Sequence, residues 1–152
     1  GRIKLDKDQA YTLPKHITVT NKMVGVQKGL YKEEDNVNGF ESKVISAIAN
    51  DDNVEFWHRN QERGKGYFIN GFINHYPDFI VKLKSGQILL IETKGDDRDN
   101  SDSVQKLELG QTWANAAGEN FRYYMVFDNN PLTGAITIND LIKKISSFAD
   151  NI

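Results

Sequence analysis

A chain of 152 residues with 39% hydrophobic content can bury one core and scarcely two, so a single α/β domain with an appended segment is expected. The lack of cysteine excludes disulfides and thiolate metal sites, and no apolar run reaches membrane-spanning length, so a cytoplasmic setting with no membrane partner is the expectation. A formal net charge of −2 excludes a grip on nucleic acid through overall charge, so any phosphate contact has to be local or borrowed.

Residues 1–35 mix charge with one strand-like run at 17–20 and carry no helical period. They read as an N-terminal arm or the junction with a preceding domain, with Lys32-Glu33-Glu34-Asp35 solvated, and residues 36–152 as the domain itself. A helix is expected from an Asn38 cap to about Ala49, with Phe40, Val44, Ile45 and Ile48 as its buried stripe. Glu41 stands at the third position, where a carboxylate reaches back to the cap N–H and favours the helix dipole.

A first strand follows at 54–58, then a charged turn through residue 65, the run Gly66-Tyr67-Phe68-Ile69 and an irregular Asn70-Gly71 step. His58, Arg59 and Asn60 cluster at the strand end, which in open α/β sheets borders the substrate cleft, so His58 and Arg59 are candidates for touching phosphates. Arg63 and Lys65 read as a solvated turn, and His75 as a packed, satisfied ring.

Residues 78–83 and 87–94 are two β-branched-rich runs joined by Lys84-Ser85-Gly86. A three-residue loop with Gly86 in the left-handed region pairs Leu83 with Gln87, Val81 with Leu89 and Phe79 with Ile91, and so sets Asp78 opposite Glu92. Lys94 falls on the same face as both carboxylates, and apolar residues on both faces make the two strands central. A two-residue turn at Ser85-Gly86 would slip the register and put Asp78 beside Thr93.

Two buried carboxylates side by side each raise the pKa of the other, and a divalent cation resolves the conflict. Mg²⁺, with Mn²⁺ as a substitute, takes carboxylates, water and phosphate oxygens, and Asp78, Glu92 and the Thr93 carbonyl can supply the protein share. Lys94 is placed to orient or deprotonate a water, or to stabilise charge on a pentacovalent phosphorane. The trio therefore points to metal-dependent phosphodiester hydrolysis.

Beyond an acidic loop at 95–102, a helix is expected with Val104, Leu107, Trp113, Ala114 and Ala117 facing inward and with Gln111, ahead of Lys106, facing the cleft. A core strand at 121–127 and a last helix capped by Asn139 or Asp140, with Leu141, Ile142, Ile145 and Phe148 as its stripe, complete the order α-β-β-β-α-β-α. No GxxxxGK[ST] phosphate loop occurs, so no ATP binding is expected in this chain.

Pro77-Asp78 followed by Glu92-Thr93-Lys94, behind a helix containing Glu41, resembles the PD-(D/E)XK nuclease superfamily. Phe56-Trp57-His58-Arg59-Asn60, His75-Tyr76-Pro77-Asp78-Phe79 and Leu90-Ile91-Glu92-Thr93-Lys94-Gly95 further resemble the C-terminal endonuclease domain of type III restriction enzyme Res subunits. The resemblance implies a restriction-endonuclease-like αβββαβ core, a mixed central sheet flanked by helices, and Mg²⁺-dependent cleavage of double-stranded DNA. It also implies a helicase-like domain in the same polypeptide and a methyltransferase subunit as partners. Its site residues are Asp78, Glu92, Lys94 and Glu41 for catalysis, with Asp78, Glu92, Thr93 and Glu41 at the metal. The helix after the motif often contributes a Gln or Lys that orients the site, a role for which Gln111 is the first candidate. A Holliday-junction resolvase or repair-type nuclease uses the same constellation, and a DNA-binding or assembly module that has lost hydrolysis is the alternative of another class.

Overall fold

The amphipathic stripe of residues 39–49 and the period-2 runs beyond it close around one five-stranded mixed sheet. The structure is a computed structural model, and it describes residues 13–15, 17, 26–31, 34, 37–61, 66–71, 73–95 and 101–149. In chain order the elements are α1 (Gly39–Ala49), β1 (Val54–Arg59), β2 (Ile69–Asn70), β3 (Asn74–His75), β4 (Phe79–Leu83), β5 (Ile88–Lys94), α2 (Ser101–Ala117), β6 (Phe121–Phe127), β7 (Ile136–Thr137) and α3 (Ile138–Ala149). The sheet order is β1-β4-β5-β6-β7, with a separate two-stranded ribbon of β2 and β3. β1, β4 and β5 run antiparallel in turn, and β5, β6 and β7 are parallel, with α2 as the crossover between β5 and β6.

The β4–β5 hairpin has the register set by a three-residue loop. Phe79 pairs with Ile91, Ile80 with Leu90 and Val81 with Leu89, while Leu83 N–H donates to the Gln87 carbonyl at 2.9 Å. Gly86 takes φ +107°, a left-handed conformation that a side chain resists, and its N–H closes on the Leu83 carbonyl at 3.0 Å. Both strands are interior, and alternation divides their side chains between two cores. Phe79, Val81, Leu83, Leu89 and Ile91 pack with Val44, Ile45 and Ile48 of α1 and Leu141 and Ile145 of α3. On the other face Ile80 and Leu90 pack with Leu107 and Leu109 of α2 and with Ile69, Tyr123, Met125 and Phe127.

Three features depart from the sequence expectation. Val104 is 53% exposed, and α2 buries Leu109 and Gly110 beside the expected Leu107. An ideal Cβ on Gly110 would lie 2.4 Å from the Tyr123 ring, so the glycine lets α2 approach the sheet at close range. The last helix starts earlier than Asn139 or Asp140: Thr137 Oγ1 accepts from Asp140 N–H at 3.3 Å, so β7 runs straight into its own cap residue.

The third departure concerns the N-terminal segment. Residues 26–31 lie along the outer edge of β1, where Trp57 N–H donates to the Lys28 carbonyl at 3.0 Å and Leu30 N–H to the Trp57 carbonyl at 2.8 Å. Glu34 is buried, not solvated: its Oε1 accepts from Arg59 N–H at 2.9 Å and lies 2.8 Å from His58 Nδ1, and its Oε2 accepts from Tyr31 N–H at 3.0 Å. These contacts cover a sheet edge that would otherwise present unpaired backbone groups. The strand-like run at 17–20 lies mostly outside the described residues, as do Arg63, Lys65 and most of the acidic loop. Among the described residues no helix is long and apolar enough to cross a membrane.

Candidate active site

One cleft of about 520 Å³ opens where the N-terminus of α1, the end of β1, the approach to β4 and the end of β5 meet, and Glu41, Arg59, Tyr76, Asp78, Glu92, Thr93, Lys94 and Lys106 are among the residues lining it. The sheet's register produces this convergence. One step beyond the Phe79–Ile91 pair, Asp78 comes opposite Glu92, and Lys94 follows two residues later on the Glu92 face.

Glu41 is positioned by its cap. Asn38 Oδ1 accepts from Glu41 N–H at 2.9 Å while Glu41 Oε1 accepts from Asn38 N–H at 2.9 Å, the reciprocal capping box read from the sequence. Its other oxygen, Oε2, lies 3.4 Å from Arg59 Nη2. Arg59 leaves the end of β1 and donates from Nη1 to the carbonyls of Asp78, at 3.0 Å, and Asn60, at 3.2 Å. The same Nη1 lies 3.6 Å from Asp78 Oδ1, so the guanidinium bridges two carboxylates. Asp78 Oδ2 accepts from both Thr93 N–H and Thr93 Oγ1 at 2.8 Å, which ties the start of β4 to the end of β5.

Glu92 is 4% exposed, and its Oε1 has no hydrogen-bond partner among the described residues. Its Oε2 lies 3.7 Å from the ammonium groups of both Lys94 and Lys106, which Asp102 in turn joins at 3.9 and 3.1 Å. Burial, and then the charge of Asp78, push the Glu92 carboxyl well above the usual carboxylate range, against the pull of the two lysines. Glu41 is raised by the same two causes in the same order. Three carboxylates and three cations thus face one another across the cleft.

Below them, His75 Nε2 and Tyr123 Oη sit 2.7 Å apart in the second core. Burial pushes the imidazole down to about 3 and the phenol well above its usual value, so both stay neutral and form a satisfied polar pair.

The candidates from sequence therefore divide. Asp78, Glu92, Lys94, Thr93, Glu41 and Arg59 come together in the cleft. His58 does not: strand alternation turns it to the opposite face from Arg59, where it is buried against Glu34 and Tyr31. Gln111 does not either; it is exposed, with its amide donating to the Gly134 carbonyl at 3.4 Å, and Lys106, more than a turn earlier on α2, takes the place at the cleft. The spacing of Asp102 and Lys106, one helical turn apart, was the available signal for that lysine. Nothing local marked Glu34 as buried, and Asn60, visible as part of the strand-end cluster, proves to hold Tyr67 and Pro77 by their carbonyls through its amide.

Among the described residues no group of three or more His, Cys, Asp or Glu side chains is gathered to hold a metal ion. Glu41 spends one oxygen on its helix cap and turns the other to Arg59, and the Asp78 carboxylate is near enough to help raise its pKa. The two-carboxylate set of Asp78 and Glu92, with an unpartnered buried oxygen, does fit a divalent ion that takes its remaining ligands from water and phosphate. Comparisons of the chain with protein-family models, with curated proteins and with solved structures give no match.

Proposed function

We propose that this chain is a divalent-metal-dependent endonuclease domain of PD-(D/E)XK type that hydrolyses DNA phosphodiester bonds, in the manner of the cleavage domain of a type III restriction enzyme. The observation that carries the reading is the Glu92 carboxylate, buried, raised in pKa by its own burial and by Asp78, and left with an orphaned Oε1 at a cleft that also holds Lys94. An unsatisfied buried carboxylate oxygen is costly, and a site that keeps one has a use for it. The α-β-β-β-α-β order of α1, β1, β4, β5, α2 and β6 agrees with the restriction-endonuclease-like core in this reading.

Asp78 Oδ1 and Glu92 Oε1 would hold Mg²⁺ or Mn²⁺, which when bound neutralises phosphate charge and makes water a stronger nucleophile. The chain's own residues do the rest. Thr93 fixes the Asp78 carboxylate through two hydrogen bonds and so fixes the angle at which Oδ1 faces the cleft. Lys94 Nζ, held at 3.7 Å from Glu92, is placed to orient the attacking water and to stabilise the charge that grows on the phosphoryl oxygens. Lys106 offers a second ammonium on the same side. Double-stranded DNA is the proposed substrate, and a helicase-like domain and a methyltransferase subunit are the proposed partners; the net charge of −2 leaves the wider DNA grip to them.

A second reading has an observation in its favour. Every carboxylate in the cleft already faces a protein cation, as in a DNA-binding or assembly module that keeps the fold without hydrolysis. Anomalous diffraction from crystals soaked in Mn²⁺ separates the two. A peak between Asp78 and Glu92 is expected, and its absence, with the carboxylates still on their lysines and arginine, gives the site to the binding module. In solution Asp78→Asn, which preserves the side chain's shape, should abolish Mg²⁺-dependent nicking of plasmid DNA.

A further inference from the structure

Arg59 holds a position that the proposed hydrolysis does not by itself require. Its guanidinium stands between Glu41 Oε2, at 3.4 Å, and Asp78 Oδ1, at 3.6 Å. Both distances exceed the roughly 2.7–2.9 Å of a closed charge-assisted hydrogen bond, so attraction is present without full bonding. Its Nε is buried and has no acceptor among the described residues. A guanidinium installed purely as structural glue satisfies its donors, because an unpaired buried donor costs free energy. What anchors this one is backbone: the carbonyls of Asp78 and Asn60 hold Nη1, while the ring of Phe79 lies 5.6 Å beneath the guanidinium carbon. The head group is therefore kept at the cleft wall whether or not Asp78 stays paired with it.

We propose that Arg59 is a built-in counter-cation that competes with the divalent metal for Asp78 Oδ1 and hands that oxygen over in exchange for a phosphate oxygen of the DNA. This rests on the metal-dependent reading above. Without metal, Arg59 offsets the repulsion among Glu41, Asp78 and Glu92 and keeps the cleft assembled. When a divalent ion takes Asp78 Oδ1, two like charges would face each other, and the guanidinium is left with Glu41 on one side and an open cleft on the other. A phosphodiester entering there supplies the missing anion. Metal and substrate would then favour each other's binding, because each relieves the charge imbalance that the other creates. Glu41 on this account is a positioning residue that retains Arg59, which agrees with both of its oxygens being engaged.

The test measures two affinities whose changes should have opposite signs. Mn²⁺ binding to the whole chain is followed by electron paramagnetic resonance for wild type, Arg59→Gln and Arg59→Lys, and binding of a short cleavage-resistant phosphorothioate DNA duplex at saturating Mn²⁺ is followed by fluorescence anisotropy. Removing a cation a few ångströms from the metal position should tighten Mn²⁺ binding about tenfold in Arg59→Gln, while duplex binding weakens. Arg59→Lys keeps the charge but loses the planar fork, and should tighten Mn²⁺ binding and weaken duplex binding by about threefold each; it decides the matter if Arg59→Gln does not fold. A purely structural Arg59 would weaken both affinities or leave both unchanged in the folded variants, and either result overturns the proposal. Wild type that binds Mn²⁺ while both variants match it overturns this proposal alone. Failure of all three proteins to bind Mn²⁺ overturns it together with the metal-dependent reading.

Discussion

Glu92 is the residue at which stability and the proposed chemistry pull hardest in opposite directions, and Glu92→Gln measures that conflict. The carboxyl is buried, and its pKa stands well above the ordinary value because of burial and the neighbouring charge of Asp78. The two lysines at 3.7 Å are too far to form short charge-assisted bonds and only partly offset this cost. A carboxyl whose folded pKa is raised costs nothing below its unfolded pKa of about 4.3, and the cost of ionising it grows as pH rises until the folded pKa is passed. Each unit of elevation corresponds to about 1.4 kcal/mol.

Replacing it with an isosteric neutral amide removes the ionisation cost but leaves Lys94 and Lys106 with Asp102 as their carboxylate among the described residues. Because burial and Asp78 outweigh the lysines in setting the Glu92 pKa, the ionisation cost removed exceeds the attraction lost, and the net gain at pH 8 should be about 1 kcal/mol, the size of one unit of elevation. For a chain of this size each kcal/mol raises Tm by about 2–4 °C. The assay is thermal and urea unfolding of wild type and Glu92→Gln at pH 8 and pH 4, in chelator. The variant should be more stable at pH 8 and equal to wild type near pH 4. Adding Mn²⁺ should then raise the Tm of wild type and not of the variant, since only a site that binds the ion in the folded state is stabilised by it. A variant less stable than wild type at pH 8, or a gain unchanged at pH 4, would refute the reasoning that burial and Asp78 dominate the lysines.

Gly110→Ala should destabilise by about 1–3 kcal/mol through the clash of its Cβ with Tyr123, although alanine is the better helix former by about 1 kcal/mol; a net gain in a urea melt would show that α2 has room to retreat. His75, held near 3 by burial, should show no imidazole titration between pH 8 and 5 in an NMR series. Because the unfolded chain binds a proton near 6.5 that the folded chain refuses until about 3, His75 should contribute a loss of stability as pH falls through that window.

Local patterns in the sequence reached a long way into this protein because they are enforced by short-range physics. The Asn38–Glu41 capping box, the α1 stripe and the β4–β5 register all follow from hydrogen bonds or alternation within a few residues. Gly86 serves both hairpin registers open to the sequence, and the closure of Leu83 on Gln87 selects the one that brings Asp78 to Glu92. The carboxylate pair with Lys94 was therefore one of two arrangements legible in the sequence, and the hairpin closure decided between them.

What the sequence could not decide are contacts between segments far apart in the chain. Glu34 lies in a charged run that reads as solvated, yet the placement of 26–31 along β1 buries it against His58, which strand alternation turns away from the cleft. Lys106 and Gln111 both sit on one helix with a weakly defined stripe, and the angle at which Gly110 packs α2 on Tyr123 decides which of them meets Glu92. Arg59 was visible as a strand-end cation, but its station between Glu41 and Asp78 depends on α1, β1 and β4 converging. Periodicity determines which face a residue is on; only the packing of one element on another determines what that face meets.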